Sequence, residues 1–299
     1  MRLWQDAWGS GFPAADGHSP GALHVPDGDG PWPGVLVFPD AGGVRETFGQ
    51  MGDQLAGLGY AVLVPDIYYR AGEWAPFDVA TLFTDPAERA RMGGLVSPLT
   101  NDAIVADADA YADFLLARSE VSGPAIGTTG YCLGGRMSLL AATGLGGTAA
   151  AAASFHGGRL AVADDPASPH LAADRISAAV YVAGATGDGS FTPEQAELLD
   201  RTLTAAGVEH AIEVYPAAHG FAVPDNPTYD AAASARHWQA LSRLYRERLS
   251  GPVALCAGEG EDGSSSWGLG VGAGSGCRSA RGSSRPTSTT SAPAVRGSR

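Results

Sequence analysis

Nearly continuous apolar runs alternate with amphipathic stretches along the middle of the chain. The apolar runs predict buried strands at residues 34–39, 60–65, 125–129, 149–155, 178–183 and 209–215. Between them apolar positions recur at helical spacing, which predicts helices at residues 46–58, 101–118, 135–143, 193–206 and 230–249. Asn101 is the predicted N-cap of the second of these helices. Strands without a polar face that are joined by helices indicate an α/β fold class, with a mostly parallel central sheet and helices on both faces.

Three segments depart from this pattern. Residues 66–99 are rich in Pro, Gly and aromatic residues and predict an irregular loop whose aromatic side chains either line a pocket or pack onto the sheet. Residues 1–14 have no clear period and predict a poorly specified N-terminal arm. Residues 251–299 are rich in Gly, Ser and Arg, and they hold too few apolar groups to offset the entropy of ordering. We therefore expect one domain over residues 15–250 and a disordered tail.

The charge balance excludes several classes of partner. The chain has 19 basic residues, all of them Arg, against 32 acidic residues, so its net charge of −13 disfavours binding to nucleic acid or to an anionic membrane. Its start lacks a secretory signal, and the chain lacks the run of about 20 apolar residues that spans a membrane. Three widely spaced cysteines disfavour a zinc site or a dithiol motif. We expect a cytoplasmic monomer or weak homo-oligomer that acts on a small molecule without a metal or cofactor.

The most specific chemical motif is Gly-Tyr-Cys-Leu-Gly at residues 130–134, between a predicted strand and a predicted helix. This is the setting of the nucleophile elbow, in which glycines flank the nucleophile because the turn has no room for side chains. The following helix directs free amides at the nucleophile and favours a thiolate or an oxyanion. We predict that Cys132 is the nucleophile and that the Leu133 amide binds the oxyanion. A buried structural cysteine beside helix-starting glycines is the alternative.

Two further residues complete a catalytic triad in the interpretation that we favour. Asp188 and His219 each follow a predicted strand, and the chain order of nucleophile, acid and base is that of α/β-hydrolases. His219 would take the thiol proton, and Asp188 would orient the imidazole and stabilise its charged form. The second oxyanion amide is expected from Ala41, in the Gly-rich loop after the first predicted strand. A phosphate-binding loop is the weaker interpretation, because the loop lacks the full motif.

These motifs resemble those of the dienelactone hydrolase family, within the α/β-hydrolase superfamily, over roughly residues 15–250. The segments 64–70, Val-Pro-Asp-Ile-Tyr-Tyr-Arg, and 226–229, Asn-Pro-Thr-Tyr, add to the resemblance. The resemblance implies cofactor-independent hydrolysis of small esters or lactones through a Cys-His-Asp triad and a thioester acyl-enzyme. It also implies an acidic residue that contacts the resting thiol, which is Asp40 here where the best-known branch has Glu.

The resemblance also bears on the substrate. The best-known branch binds a substrate carboxylate with an Arg at the position of Val223, so we expect this chain to prefer uncharged substrates. A cation could still come from Arg45, Arg70, Arg89 or Arg136, although each is equally a candidate for a solvated surface residue. The candidate pocket residues are Tyr68, Arg70, Trp74, Arg136 and Phe221.

Two other functions are alternative interpretations of the same motifs. The first is a non-catalytic binding protein with the α/β-hydrolase fold, which would need no aligned nucleophile and base. The second is a thiol redox enzyme, which is disfavoured because the body of the chain has no second cysteine to resolve an oxidised thiol. Turnover of a small chromogenic ester separates a hydrolase from a binding protein.

Overall fold

The computed structural model describes residues 11–249. The predicted tail at residues 251–299 and most of the predicted arm at residues 1–14 lie outside the described residues. The described end of that arm forms a short strand, and its residue Phe12 is fully buried in the apolar core.

The predicted sheet is present, and it is mostly parallel. Its strands, with those of a separate small hairpin, are β1 (Phe12–Ala14), β2 (Gly17–Ser19), β3 (Gly21–His24), β4 (Trp32–Phe38), β5 (Ala61–Pro65), β6 (Val121–Tyr131), β7 (Ala149–Phe155), β8 (Ala179–Ala185) and β9 (His210–Tyr215). Within residues 11–249 the main sheet has seven strands in the order β3-β5-β4-β6-β7-β8-β9. Only the edge strand β3 is antiparallel to its neighbour.

Alternate residues of the central strands face two separate apolar clusters. In β4, Leu36 and Phe38 belong to one cluster, whereas Val35 and Val37 belong to the other. Both faces of the sheet are therefore buried, which explains why the strands are continuous apolar runs. The helices that cover the sheet and its loops are α1 (Glu46–Gly57), α2 (Pro86–Val96), α3 (Asn101–Leu116), α4 (Leu133–Leu145), α5 (Pro193–Ala205) and α6 (Ala231–Arg248).

Two local predictions are wrong. The segment 66–99 is not wholly irregular, because α2 begins there at Pro86, with the Asp85 side chain accepting a hydrogen bond from an amide of the first turn. None of its residues is fully buried, and Met92, Leu95 and Val96 pack half-buried against the core, which leaves an apolar stripe of a single turn. The N-cap of α3 is Thr100 rather than Asn101, which is the first helical residue and donates a side-chain hydrogen bond to the carbonyl of Ala167.

The parallel order brings several loops to one edge of the sheet. The carboxyl ends of β4, β6, β7, β8 and β9 all lie at this edge, where ligands bind in open α/β sheets. Cys132, His156, Asp188 and His219 follow the last four of these strands. Across the described part of the chain, no helix combines the length and the apolar character needed to cross a membrane.

Candidate active site

The loop between β6 and α4 is a strained turn centred on Cys132. The backbone φ of Cys132 is +54°, in the left-handed region that residues with a side chain seldom adopt. The turn is held because the Cys132 amide donates to the Phe155 carbonyl at 3.1 Å, while the Cys132 carbonyl accepts from the Gly135 amide at 3.0 Å. Cys132 is the N-cap of α4, so its side chain lies beside the free amides of that helix.

The two glycines of the elbow are required by neighbouring backbone. A Cβ on Gly130 would collide with the Gly134 carbonyl, and a Cβ on Gly134 would collide with the carbonyl oxygens of Phe38 and Pro39. The elbow thus packs against the end of β4 without intervening side chains. The space around both glycines is limited by backbone atoms.

Asp188 is fixed by its own loop and directed at His219. Its Oδ2 lies 2.7 Å from Nδ1 of His219, while its Oδ1 accepts from the Ser190 hydroxyl at 2.7 Å and from the Ser190 amide at 2.8 Å. Only 4% of the Asp188 side chain is exposed. Burial alone would raise the pKa of Asp188, but the hydrogen bonds from His219 and Ser190 outweigh it and lower the pKa. The carboxylate is therefore charged at neutral pH.

His219 lies between the carboxylate and the thiol. Burial would lower the pKa of His219, but hydrogen bonds with Asp188 and Cys132 raise it to about 10. The backbone of this residue is fixed as well, because the Thr228 hydroxyl donates to the His219 carbonyl. An imidazole held in this way favours its protonated form.

Two backbone amides near Cys132 are free to bind an oxyanion. The Leu133 amide opens α4 and has no preceding helical turn to bond. The Ala41 amide lies in the loop after β4, and within residues 11–249 neither amide donates to another protein group. The Tyr68 hydroxyl donates to the Ala41 carbonyl at 2.9 Å, which fixes the orientation of this loop.

Asp40 lines a small cavity together with Cys132. Its carboxylate accepts from the Gly42 amide at 2.9 Å and from both terminal nitrogens of Arg45 at 2.7 and 2.9 Å. Arg45 also donates two hydrogen bonds to Asp225, so it links the loop after β4 to the loop that follows His219. A contact between Asp40 and the resting thiol stays a prediction.

A larger cavity of about 390 Å³ opens beside the triad. It is lined by Phe83, Cys132, Leu133, Arg136, Gly158, Arg159, Asp188, Ser190 and His219. Cys132, His219 and the half-exposed Phe83 line the smaller cavity as well. The two cavities therefore meet at Cys132 and His219.

The predicted pocket residues are divided between this cavity and the structure behind it. Arg136 lines the cavity, although its guanidinium donates at 2.6 Å to the carbonyls of both Arg159 and Ala167. The other four are not among the residues that line either cavity: Tyr68 and Phe221 are buried, Trp74 packs on Tyr68 and donates to Asp66, and Arg70 binds Asp107 and Asp16.

Sequence reasoning did not identify Ser190 or assign a role to His156. Ser190 is the second residue after Asp188 and fixes the acid, but a serine at that spacing is common in turns. His156 follows β7 and contacts His219 with its ring.

Comparison with known proteins agrees with this architecture. A presumed carboxymethylenebutenolidase from Escherichia coli (strain K12) is 29% identical over 210 residues, which cover 69% of this chain and 73% of the relative. The structure of a presumed dienelactone hydrolase from Klebsiella pneumoniae subsp. pneumoniae superposes with a TM-score of 0.68 at 26% identity, over 80% of this chain and 97% of the other.

A dienelactone hydrolase-like promiscuous phosphotriesterase from metagenomic libraries superposes with a TM-score of 0.64 at 29% identity, over 78% of this chain and 93% of the other. These neighbours confirm the α/β-hydrolase fold. The sequence profile of the dienelactone hydrolase family matches residues 20–249. The chain is thus a member of the dienelactone hydrolase family.

Proposed function

We propose that this protein hydrolyses small esters or lactones, with Cys132 as the nucleophile and a thioester acyl-enzyme as the intermediate. The observation that carries the proposal is the arrangement of His219, which hydrogen bonds to Asp188 at 2.7 Å and lines the same cavity as Cys132. Membership of a hydrolase family and relatives named carboxymethylenebutenolidase support the reaction class.

The first half of the reaction forms the thioester. The sulfur of Cys132 attacks the carbonyl carbon, and the thiol proton passes to Nε2 of His219, because Nδ1 is held by Asp188. The amides of Leu133 and Ala41 stabilise the tetrahedral oxyanion. His219 then protonates the leaving oxygen as the C–O bond breaks, so an alcohol departs from an ester or stays tethered in an opened lactone.

The second half returns the enzyme to its resting state. His219 removes a proton from water, whose oxygen attacks the thioester carbon at the same two amides. The C–S bond breaks, and the proton on His219 returns to the sulfur of Cys132. Water is the sole co-reactant, and throughout the cycle Asp188 stabilises the charged imidazole.

Most arginines near the cavity are already bound to groups of the protein, which supports the expected preference for uncharged substrates. Arg159, which lines the cavity, pairs with Asp165. Val223, at the position where the best-known branch of the family binds a carboxylate with Arg, is fully buried. Arg45 and Arg70 each bind two carboxylates of the protein itself. Arg136 reaches the cavity wall with part of its hydrogen-bonding capacity already used by two carbonyls.

Substitution of the nucleophile tests the proposal. Cys132→Ala should abolish turnover of a chromogenic ester without changing the melting temperature, since the side chain adds little volume to the core. Cys132→Ser should also be slow, because a hydroxyl needs a stronger base than a thiol. Intact-mass measurement with a slow ester should show one acyl group on the wild type and none on Cys132→Ala.

Two results would count against this mechanism. Full turnover by a folded Cys132→Ala variant would exclude Cys132 as the nucleophile. Tight binding of lactones by the wild type without any turnover would favour the binding-protein alternative instead.

A further inference from the structure

His156 is a buried histidine that the proposed mechanism does not use. It follows β7 at the carboxyl edge of the sheet, and its amide donates to the Ala183 carbonyl at 2.7 Å. Its backbone φ is +39°, in the left-handed region that is unfavourable for a residue with a side chain. Only 1% of the residue is exposed. The His156 ring is therefore buried at a position where the backbone is strained.

The ring of His156 packs directly against the catalytic base. Its centroid lies 5.0 Å from that of the His219 ring, with the two planes at 61°. On another side it lies 5.0 Å from the Phe221 ring, with the planes at 79°. Neither nitrogen of the ring has a hydrogen-bond partner in another described residue. A buried polar group without a partner is unfavourable, and a phenylalanine of similar shape would avoid that penalty.

The surroundings of His156 keep its ring uncharged. Burial lowers the pKa of His156 well below its ordinary value, and positive charge on His219 or His237 lowers it further. When His219 accepts a proton, its neighbour therefore stays neutral. The titratable groups that face these two rings from the surrounding elements are Tyr131 at the end of β6, Cys132 directly after it, Asp188 after β8, and His237 on α6.

A neutral imidazole carries one N–H donor and one nitrogen lone pair. Because no other residue holds either nitrogen of His156, both tautomers are available to it. Protonation of His219 favours the tautomer that turns the negative end of the ring dipole toward the new charge. The dipole of His156 can thus follow the charge of His219 without movement of the ring.

We propose that His156 is a positioning residue for His219, whose unpaired, uncharged ring stabilises the imidazolium form of the catalytic base. This inference rests on the proposed function, in which His219 cycles between its two protonation states. It explains why residue 156, which packs against His219, is a histidine and not an apolar aromatic residue.

The test measures the pKa of His219 by NMR of its ring nitrogens in the full-length protein. His156→Phe keeps the ring shape and removes both nitrogens, so the pKa of His219 should fall by on the order of one pH unit. The fall in kcat should be roughly tenfold with KM little changed, since the affected charge arises during the reaction. His156→Gln, which restores a polar group, should recover part of both losses.

His237→Phe is the matched control. His237 is also fully buried and aromatic-packed, but it contacts Tyr131, Phe155 and Trp238 rather than His219. This variant should lower the melting temperature, because it loses hydrogen bonds with Tyr131 and Ser234, and should leave the pKa of His219 unchanged.

An unchanged pKa of His219 in His156→Phe would overturn the proposal and reduce His156 to a packing residue. If that variant does not fold, the same measurement is made on the wild type. The NMR chemical shifts of the His156 ring nitrogens should then change as His219 titrates, and constant shifts would overturn the proposal. The NMR readout needs no substrate. Failure of the wild type to hydrolyse any ester would thus count against the proposed function, while the coupling of the two rings is judged separately.

Discussion

Asp188→Asn is the perturbation whose effect can be worked out furthest. It removes the charge that faces His219 at 2.7 Å, and it preserves the size of the side chain. The amide oxygen can still accept from Ser190, so the loop after β8 should keep its conformation. The change therefore isolates the attraction between the carboxylate and the imidazolium.

The magnitude follows from the pKa of His219. An increase from 6.5 to about 10 corresponds to at most roughly 5 kcal/mol in favour of the protonated, folded form, at about 1.4 kcal/mol per pH unit. The side chain of His219 is 30% exposed, and Cys132 contributes part of the shift. After discounting for solvent and for that share, we expect Asp188→Asn to lower the free energy of unfolding by roughly 1–3 kcal/mol at pH 6.

The sign of the pH dependence is fixed by the direction of the shift. Because folding raises the pKa of His219, its contribution to stability is complete below about pH 6.5 and disappears as the pH rises through about 10. The lowered pKa of Asp188 keeps the carboxylate charged down to the acid side of this range. The difference between wild type and variant should therefore be largest near pH 6 and small near pH 10.5.

Urea unfolding at the two pH values measures this difference, and ester hydrolysis gives a second readout. We expect kcat/KM to fall by roughly 10²–10⁴-fold, because the imidazole loses both its orientation and its stabilising charge. Asp200→Asn is the matched control, since Asp200 contacts His210 at 3.1 Å but is 61% exposed. It should change neither stability nor rate by much. A stability loss in Asp188→Asn that is equal at pH 6 and pH 10.5 would refute the reasoning.

Three further predictions address the elbow, the substrate and the tail. Gly134→Ala should unfold or inactivate the protein, because the new Cβ would collide with carbonyl oxygens of β4 and of the following loop. Gly93→Ala is the control in α2: its Cβ meets open space, so it should add about 0.5–1 kcal/mol to the free energy of unfolding. A lactone methyl ester should be hydrolysed faster than the matching free carboxylate, given Val223; the opposite preference, abolished in Arg136→Ala, would identify Arg136 as an anion-binding residue. Removal of residues 251–299 should change neither melting temperature nor activity, and a tailless protein that melts several degrees lower would contradict the composition argument.

Side-chain directions and long-range contacts were beyond the reach of the sequence. Arg70 and Tyr68 lie close to the motifs, but their side chains turn to Asp107 and to the Ala41 carbonyl, so they stand behind the cavity. Phe83 does reach the cavity, from the segment that gave the least regular pattern. The helix α2 was missed because none of its residues is fully buried and its apolar stripe is only one turn long.

The sequence by itself determined the order of the six strands β4 to β9 and of five of the six helices, and it supplied the candidates for a catalytic triad. A parallel strand buried on both faces must be an apolar run, and the strand predicted at residues 149–155 coincides with β7, Ala149–Phe155. The elbow was detectable because its glycines are needed at fixed spacing around Cys132. Tertiary structure alone decided which groups meet there: Ser190 on Asp188, Arg45 between Asp40 and Asp225, and His156 against His219. These contacts join residues whose separation along the chain carries no period, and they exist only because the sheet brings its strand ends to one edge.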